Sequence, residues 1–548
     1  MTMWRLALLL LAVVAPRPVG AQVTSDRILR AASEPHNWLT YSGGYDSQRH
    51  SLLRQIEPAN VKNLELKWVL QNQVFGAWQS SPIVVDGVMY LTQRPNDVIA
   101  ADAKTGKMFW LYRYTNSGRQ QVCCGANNRG VAVLGDRLFM GTLDAHLVAI
   151  DASTGKPLWN IAVADDRLAY SITLAPLIIK DKVIVGVGGA EYGIRGFIAA
   201  FDPQTGKELW RFYTIPNPGE PGGDSWSGDA GSHGGGSVWV TGSYDPELNL
   251  TYWGVGNPGP DWNPAQRPGD NLYTDSVVAL DADTGTLKWH YQFTPNDGYD
   301  YDAVQVPVLA DISWKGTPTK AMLCANRNGF FYVLDRRTGQ FLSGTPFVTV
   351  NWASGFDAKG RPIPTPQPPG APTYPGNQGG TNWYSPSYSP RTGLFYVSAW
   401  VNYGSVFRRE SQAYEPGRRF VGGGNQTVTP VPEAPGIGIG RRGPINNWTD
   451  EVGHGAVIAI DPRTGLAKWT FGQYDVTDAG ILTTASDLLF TGGRDGYFHA
   501  LDARTGSLLW KASLGSQIVS PPVTYQVDGK QYVTVIAGNI MATYGLRD

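Results

Sequence analysis

Nine residues recur along this chain as Asp-x-x-Thr-Gly-x-x-x-Trp, and the repeat constrains the fold more than any other feature. Copies occupy 102–110, 151–159, 202–210, 281–289, 461–469 and 502–510. A further copy opens at Asp335 with Thr338 and Gly339 but carries Ser343 where Trp is expected. Trp68, in Leu-Glu-Leu-Lys-Trp, stands 42 residues before Trp110 and lacks the turn. Apolar runs such as 147–150 and 277–280 precede the copies. Each Thr-Gly therefore sits in a turn between two short strands, where Gly supplies a positive φ and Asp and Thr hydrogen-bond locally. Spacings of 41 to 54 residues fit a four-stranded propeller blade. The longer gaps, 202 to 281 and 335 to 461, need loop insertions, and the second has room for a blade equivalent around 383–400. The expected fold is all-β, an eight-bladed β-propeller whose recurrent Trp packs each blade on its neighbour. Helical periodicity is scarce, which disfavours a TIM barrel.

The 548 residues carry 45 Lys+Arg against 46 Asp+Glu, a balance that argues against a nucleic-acid binder. The 42% hydrophobic content is enough for a large core. Of 19 Trp, seven fall on the repeat register; Trp239 is off it, between a Gly run and Asn257. At the start, Arg5, an apolar run over 6–15 and Val-Gly-Ala at 19–21 read as a secretory signal peptide over 1–21, cut after Ala21. The run is too short to span about 30 Å of hydrocarbon, and no later stretch qualifies as a membrane span. The mature propeller is then 22–548, exported to the periplasm. Two segments escape the repeat: 353–390, rich in Pro, and 408–447, rich in Gly, Pro and Arg. They are either surface insertions or covers over one end of the propeller.

Several short motifs carry chemistry. Cys123 and Cys124 are adjacent, with Asn128-Arg129-Gly130 following. Neighbouring Cα atoms lie about 3.8 Å apart, below the usual disulfide span, so the pair reads as two thiols, a redox pair or a strained ring. Glu191 sits in a Gly-rich turn, Gly188-Gly189-Ala190-Glu191, after an apolar strand, where an acid is unusual unless it binds something. Asp300 and Asp302 are two apart, and on an extended chain such residues point the same way. The seven His form no pair at metal-ligand spacing, which argues against a zinc hydrolase.

With these motifs, nearly all of the mature chain resembles the quinoprotein alcohol dehydrogenases, eight-bladed propellers that bind pyrroloquinoline quinone (PQQ) and one metal ion. The resemblance implies a Cys123–Cys124 disulfide lying on one face of the quinone and Trp239 stacked on the other. It implies that Arg129 pairs with a cofactor carboxylate and that Thr173, Gln79, Asn382, Trp383, Gly188, Gly189 and Ala190 contact the cofactor. Arg327, in Ala-Asn-Arg-Asn-Gly, matches the Arg that hydrogen-bonds the quinone C5 carbonyl. Glu191, Asn257, Asp300 and Asp302 match the metal ligands, and Asp300 also matches the catalytic base. Calcium-type relatives have a small residue at the position of Asp302, whereas lanthanide-type relatives have Asp. Three carboxylates suit a trivalent cation, so a lanthanide is expected, with Ca2+ as the alternative. Gln79 stands where methanol-oxidising relatives have Glu, and Asp478 where many relatives have a pocket Trp.

The expected function is periplasmic oxidation of a primary alcohol to the aldehyde. No Cys-x-x-Cys-His occurs, so the expected electron acceptor is a separate soluble cytochrome c. Two alternatives stand beside it: a calcium-type enzyme for sugars, polyols or other alcohols, and a non-catalytic scaffold propeller. The scaffold predicts a lipoprotein Cys after the signal and no adjacent Cys pair, and neither holds. Nothing in the sequence fixes the oligomeric state; a homodimer is one option.

Overall fold

The computed structural model of the chain describes residues 22–74, 76, 78–118, 121–428, 454–473 and 475–547. The signal-peptide segment 1–21 and residues 429–447 of the second insertion lie outside the described residues. Among the described residues the strands form eight four-stranded antiparallel blades, and the blade over 482–513 gains a fifth, parallel strand from His50–Ser51. Seven follow in chain order over 83–112, 132–162, 177–213, 243–292, 308–346, 387–473 and 482–513. The eighth joins both ends of the sequence: Leu64–Gln71 pairs antiparallel with Ile540–Leu546, followed inward by Lys530–Ala537 and Val523–Val527. The first strands of several blades, such as Ile83–Val85 and Leu177–Ile179, are wholly buried. The fourth strands, such as Pro157–Ala162, alternate toward solvent.

The repeat turn works as its residues dictate. Asp102 Oδ1 accepts the backbone N–H groups of Lys104 (2.8 Å) and Thr105 (2.9 Å), and the other copies repeat the pattern. The turn glycines all have φ between 70° and 75°, the left-handed region that glycine adopts at least cost. Glycine is required for a second reason. A Cβ at Gly155 would lie 2.6 Å from the Trp110 ring of the preceding blade, and Gly106–Trp68, Gly285–Trp210, Gly339–Trp289 and Gly506–Trp469 repeat the contact. Indole Nε1 of Trp110, Trp159 and Trp469 also donates to a carbonyl of the next blade. Where Ser343 replaces the indole, Thr345 meets Gly465 instead. Trp510 packs edge-on against Tyr544 of the closing blade, ring centroids 5.1 Å apart.

One sequence expectation is corrected. The segment around 383–400 is no separate blade. Ser387–Ser389 and Leu394–Val401 pair with His454–Ile460 and Ala467–Gln473, and so supply the first two strands of the Asp461 blade. The eighth blade is the one marked by Trp68.

Strand parity places everything else. In an up-and-down blade the loop from strand two to three and the loop from strand four to the next blade emerge at one end. The Thr-Gly turns, between strands three and four, emerge at the other. The insertions lie at the first end. Residues 376–380 grip Arg327: its Nε donates to Asn377 O at 2.8 Å, and Gly380 N donates to Arg327 O at 2.9 Å. Residues 404–428 form a hairpin, Gly404–Arg409 with Gly423–Val428, whose connecting loop touches the loop of Glu191: Phe420 N donates to Glu191 O at 2.6 Å. Within the described residues, both segments therefore cover one end of the propeller.

Replacing Trp210, only 8% exposed, by Ala should cost about 3–5 kcal/mol through lost burial and a cavity. Thr345→Ala, at the dock that lacks an indole, should cost about 1 kcal/mol. Urea denaturation of both variants is the check, and equal losses would refute indole docking as the stronger blade contact.

Candidate active site

A cavity of about 200 Å³ opens at the end of the propeller that the insertions cover. It is lined by Gln79, Cys123, Cys124, Arg129, Thr173, Gly188, Gly189, Glu191, Trp239, Asp300, Asp302, Arg327, Asn382 and Trp383, among others. These residues are far apart in sequence and come from the loops that strand parity sends to this end. Ala190 and Asn257 are buried beside the cavity and do not line it.

Cys123 and Cys124 are disulfide-bonded. The Glu191 carboxylate lies within 4.8 Å of both sulfurs. A disulfide has no thiolate to offer, so that trio is no metal site and Glu191 is its one hard donor. Opposite charges meet at Arg327. Its Nη1 donates to Asp302 Oδ2 at 2.7 Å and its Nη2 to Asp300 Oδ2 at 2.8 Å. The second Asp302 oxygen accepts the Asn257 backbone N–H at 2.8 Å. The two carboxylates do converge, but not by strand alternation. Asp300 has φ 63°, and the shared guanidinium, with Asp297 accepting the N–H groups of Tyr299 and Tyr301, shapes the turn.

The charges are deeply buried. Burial pushes Asp300 well above the usual carboxylate range; Arg327 opposes the shift, while Asp302 and Glu191 add to it. Burial also raises Asp297 to about 6, against the pull of the Tyr301 N–H and Arg267. For Arg327 burial works against the charge, but Asp300 and Asp302 outweigh it and leave its pKa raised.

Arg129 is held differently. Its Nη1 donates to Thr173 Oγ1 at 3.0 Å and to Trp239 O at 3.3 Å. The guanidinium carbon lies 4.9 Å from the ring centroids of both Trp239 and Trp383. Burial lowers its pKa to about 10. Its Nε meets no acceptor, and no carboxylate among the described residues pairs with it. Gln79 Oε1 is likewise buried without a donor. Such groups are costly unless something polar reaches them.

Sequence reasoning missed part of the wall. Arg494 donates to Asp478 Oδ2 from Nε (2.9 Å) and Nη2 (2.7 Å) and lies over the Trp400 ring. The pair explains Asp478: a buried acid at that position needs this cation. Arg94, Ser171, Ser237, Gln378 and Tyr384 also line the cavity. Asp261, 2% exposed, was missed too, although its place four residues after Asn257 was a usable signal.

The comparisons with known proteins agree with this geometry. The family model described as glucose/ethanol/alcohol dehydrogenase, beta-propeller domain, matches residues 38–354 and 472–533. The chain is 38% identical to quinoprotein alcohol dehydrogenase PedH of Pseudomonas putida, across 98% of this chain and 92% of that protein. It is 39% identical to quinohemoprotein alcohol dehydrogenase ADH IIB of the same species, across 97% of this chain and 78% of that protein. Among solved structures, a europium-containing methanol dehydrogenase superposes with TM-score 0.87 at 33% identity, over 95% of this chain and all of that one. Quinohemoprotein alcohol dehydrogenase ADHIIG of Pseudomonas putida HK5 superposes with TM-score 0.89 at 37% identity, over 96% of this chain and 83% of that one. The chain thus belongs to the PQQ-dependent, quinoprotein alcohol dehydrogenase family.

Proposed function

We propose that this cavity oxidises a primary alcohol to the aldehyde, with PQQ as electron acceptor and a lanthanide(III) ion as the metal. The observation that carries this reading is the pairing of Arg327 with both Asp300 and Asp302 in a cavity shared with Glu191 and the Cys123–Cys124 disulfide. The residues present fit the two groups. Arg129, a buried cation with no carboxylate partner among the described residues, suits a carboxylate of PQQ, and the orphan Gln79 Oε1 suits a polar edge. Glu191, Asn257, Asp300 and Asp302 would hold the metal as oxygen donors. Thr173, Gly188, Gly189, Trp239, Asn382 and Trp383 would complete the cofactor pocket. When bound, PQQ accepts two electrons and the cation supplies Lewis acidity.

The chain's own part is positioning and proton transfer. Asp300 takes the alcohol proton on a carboxylate oxygen that lines the cavity. Arg327 holds Asp300 in place and offers positive charge where negative charge grows. The Asp302 charge favours a trivalent ion, and the likeness to a europium-containing methanol dehydrogenase supports the same choice. A separate soluble cytochrome c is the proposed electron acceptor, a reading supported by the lack of a Cys-x-x-Cys-His haem motif within these 548 residues. The apolar start followed by Val-Gly-Ala supports export to the periplasm. Among the described residues no helix is long and apolar enough to cross a membrane.

One observation favours a second reading of the substrate. The Asp478–Arg494 pair puts buried charge in the cavity wall, which suits an alcohol with further hydroxyl groups. An alcohol panel with a dye acceptor separates the two readings.

Reconstitution with PQQ plus La3+ or Ce3+ should give high activity, and PQQ plus Ca2+ much less; full activity with Ca2+ alone rejects the lanthanide assignment. Asp302→Ala should lower lanthanide-supported activity while circular dichroism shows the fold intact, and an unchanged metal dependence would make Asp302 a bystander. Asp300→Asn should reduce turnover by about 10²–10⁴-fold; normal turnover excludes it as the base.

A further inference from the structure

We propose that Asp261 belongs to the metal centre as a positioning residue: its carboxylate backs Asn257 and biases the site toward a trivalent cation. This rests on the metal assignment above and extends it to a residue outside the four ligands.

The argument begins with an unmet need. The Asp261 side chain is 2% exposed, and its Oδ1 meets no donor. Buried carboxylates are paired, hydrogen-bonded or beside a cation. The nearby cation, Arg267, is also buried, yet it spends its donors elsewhere. Its Nε and Nη2 donate to Pro260 O at 3.3 and 3.1 Å, its Nη1 to Asn271 Oδ1 at 3.0 Å, and its Nη2 also to Asp297 O. Arg267 therefore anchors the backbone of the loop and leaves the acid unpaired.

The same loop is pinned from the outside. Trp262 N donates to Val421 O at 2.9 Å, and Asn263 Nδ2 donates to Glu410 O at 2.9 Å. Pro260 and Trp262 are thus both held, and the carboxylate between them is buried. It faces the Asn257 side chain, and the charges that act on it most are those of Glu191 and Asp300. All three are assigned metal ligands.

Two effects follow when a cation binds. Asn257 Nδ2 donates to Pro258 O at 3.4 Å and has a second N–H to turn toward Asp261; an amide held that way presents its oxygen in the other direction, as a metal ligand must. An outer carboxylate of this kind fixes the ligand's orientation and strengthens it as a donor. The second effect is charge. Glu191, Asp261, Asp300 and Asp302 supply four negative charges against one guanidinium, Arg327, that contacts two of them. A surplus of three suits a trivalent ion better than a divalent one.

The test uses the full-length chain with PQQ, titrated calorimetrically with La3+ and separately with Ca2+. The variants are Asp261→Asn, which keeps the shape, Asp261→Ala, and Asp302→Ala as the ligand control. Both Asp261 variants should bind La3+ at least about tenfold more weakly and lose less for Ca2+, so the La3+/Ca2+ affinity ratio falls. The metal-free melting temperature should hold or rise, because an unpaired buried charge has been removed. Equal losses for the two ions would overturn the charge bias. La3+ affinity within about twofold of the parent in both Asp261 variants, with Asp302→Ala weakened, overturns the role of Asp261 and leaves the metal assignment standing. Unchanged affinity in all three variants overturns both.

Discussion

Six of the eight blades are held to the next by a flat ring lying on a glycine of the neighbouring turn, and the rest of the molecule depends on that contact. The contact admits no Cβ on one side and fills the gap with indole on the other. It fixes the angle between blades, and so how many blades close a ring. It also occupies the Thr-Gly end of every blade. Antiparallel parity then leaves the opposite end for loops that need not dock. Adhesion and chemistry are thus segregated by geometry, and the catalytic loops can vary in length, as the segments 346–387 and 401–454 do, without loosening the ring.

Buried charge is the second organising force. Arg327 joins two acids, whereas Arg129 stands between two indoles with no carboxylate partner among the described residues. In the proposed reading, one arginine would face the metal and the other the cofactor's own carboxylate. Two identical side chains serve opposite tasks because their neighbours differ. Away from these acids, Arg494 paired with Asp478 gives the wall a polarity that an aromatic residue at 478 would not.

Most of the fold was legible because the blade contact is local in sequence. Asp, Thr, Gly and Trp fall within nine residues, so the period shows directly. The exception was the gap from 335 to 461, where a blade is split by an insertion; Trp68, lacking the turn, was the true marker of the eighth blade. The cavity residues were legible where a motif surrounds them, as at Cys123, Glu191, Asp300 and Arg327. Pairings between one loop and the next were not. Asp478 and Arg494 are 16 residues apart with nothing in either stretch to link them. The turn at Asp300 shows the same limit: the two acids were expected to converge through an extended strand, but they converge through a residue 25 positions further on.

The eighth blade carries a consequence for how the protein comes to exist. Leu64–Gln71 finds its partner only in Ile540–Leu546, almost 500 residues later. Until that partner has been synthesised, the strand is an open edge with unmatched N–H and C=O groups, a template for pairing with other chains. Closure is the longest-range pairing in the ring, so its loop entropy must be overcome before it stabilises anything. A ribosome that stalls short of Ile540, or a protease that trims the last strand, would leave seven blades with two raw edges and a strong tendency to aggregate.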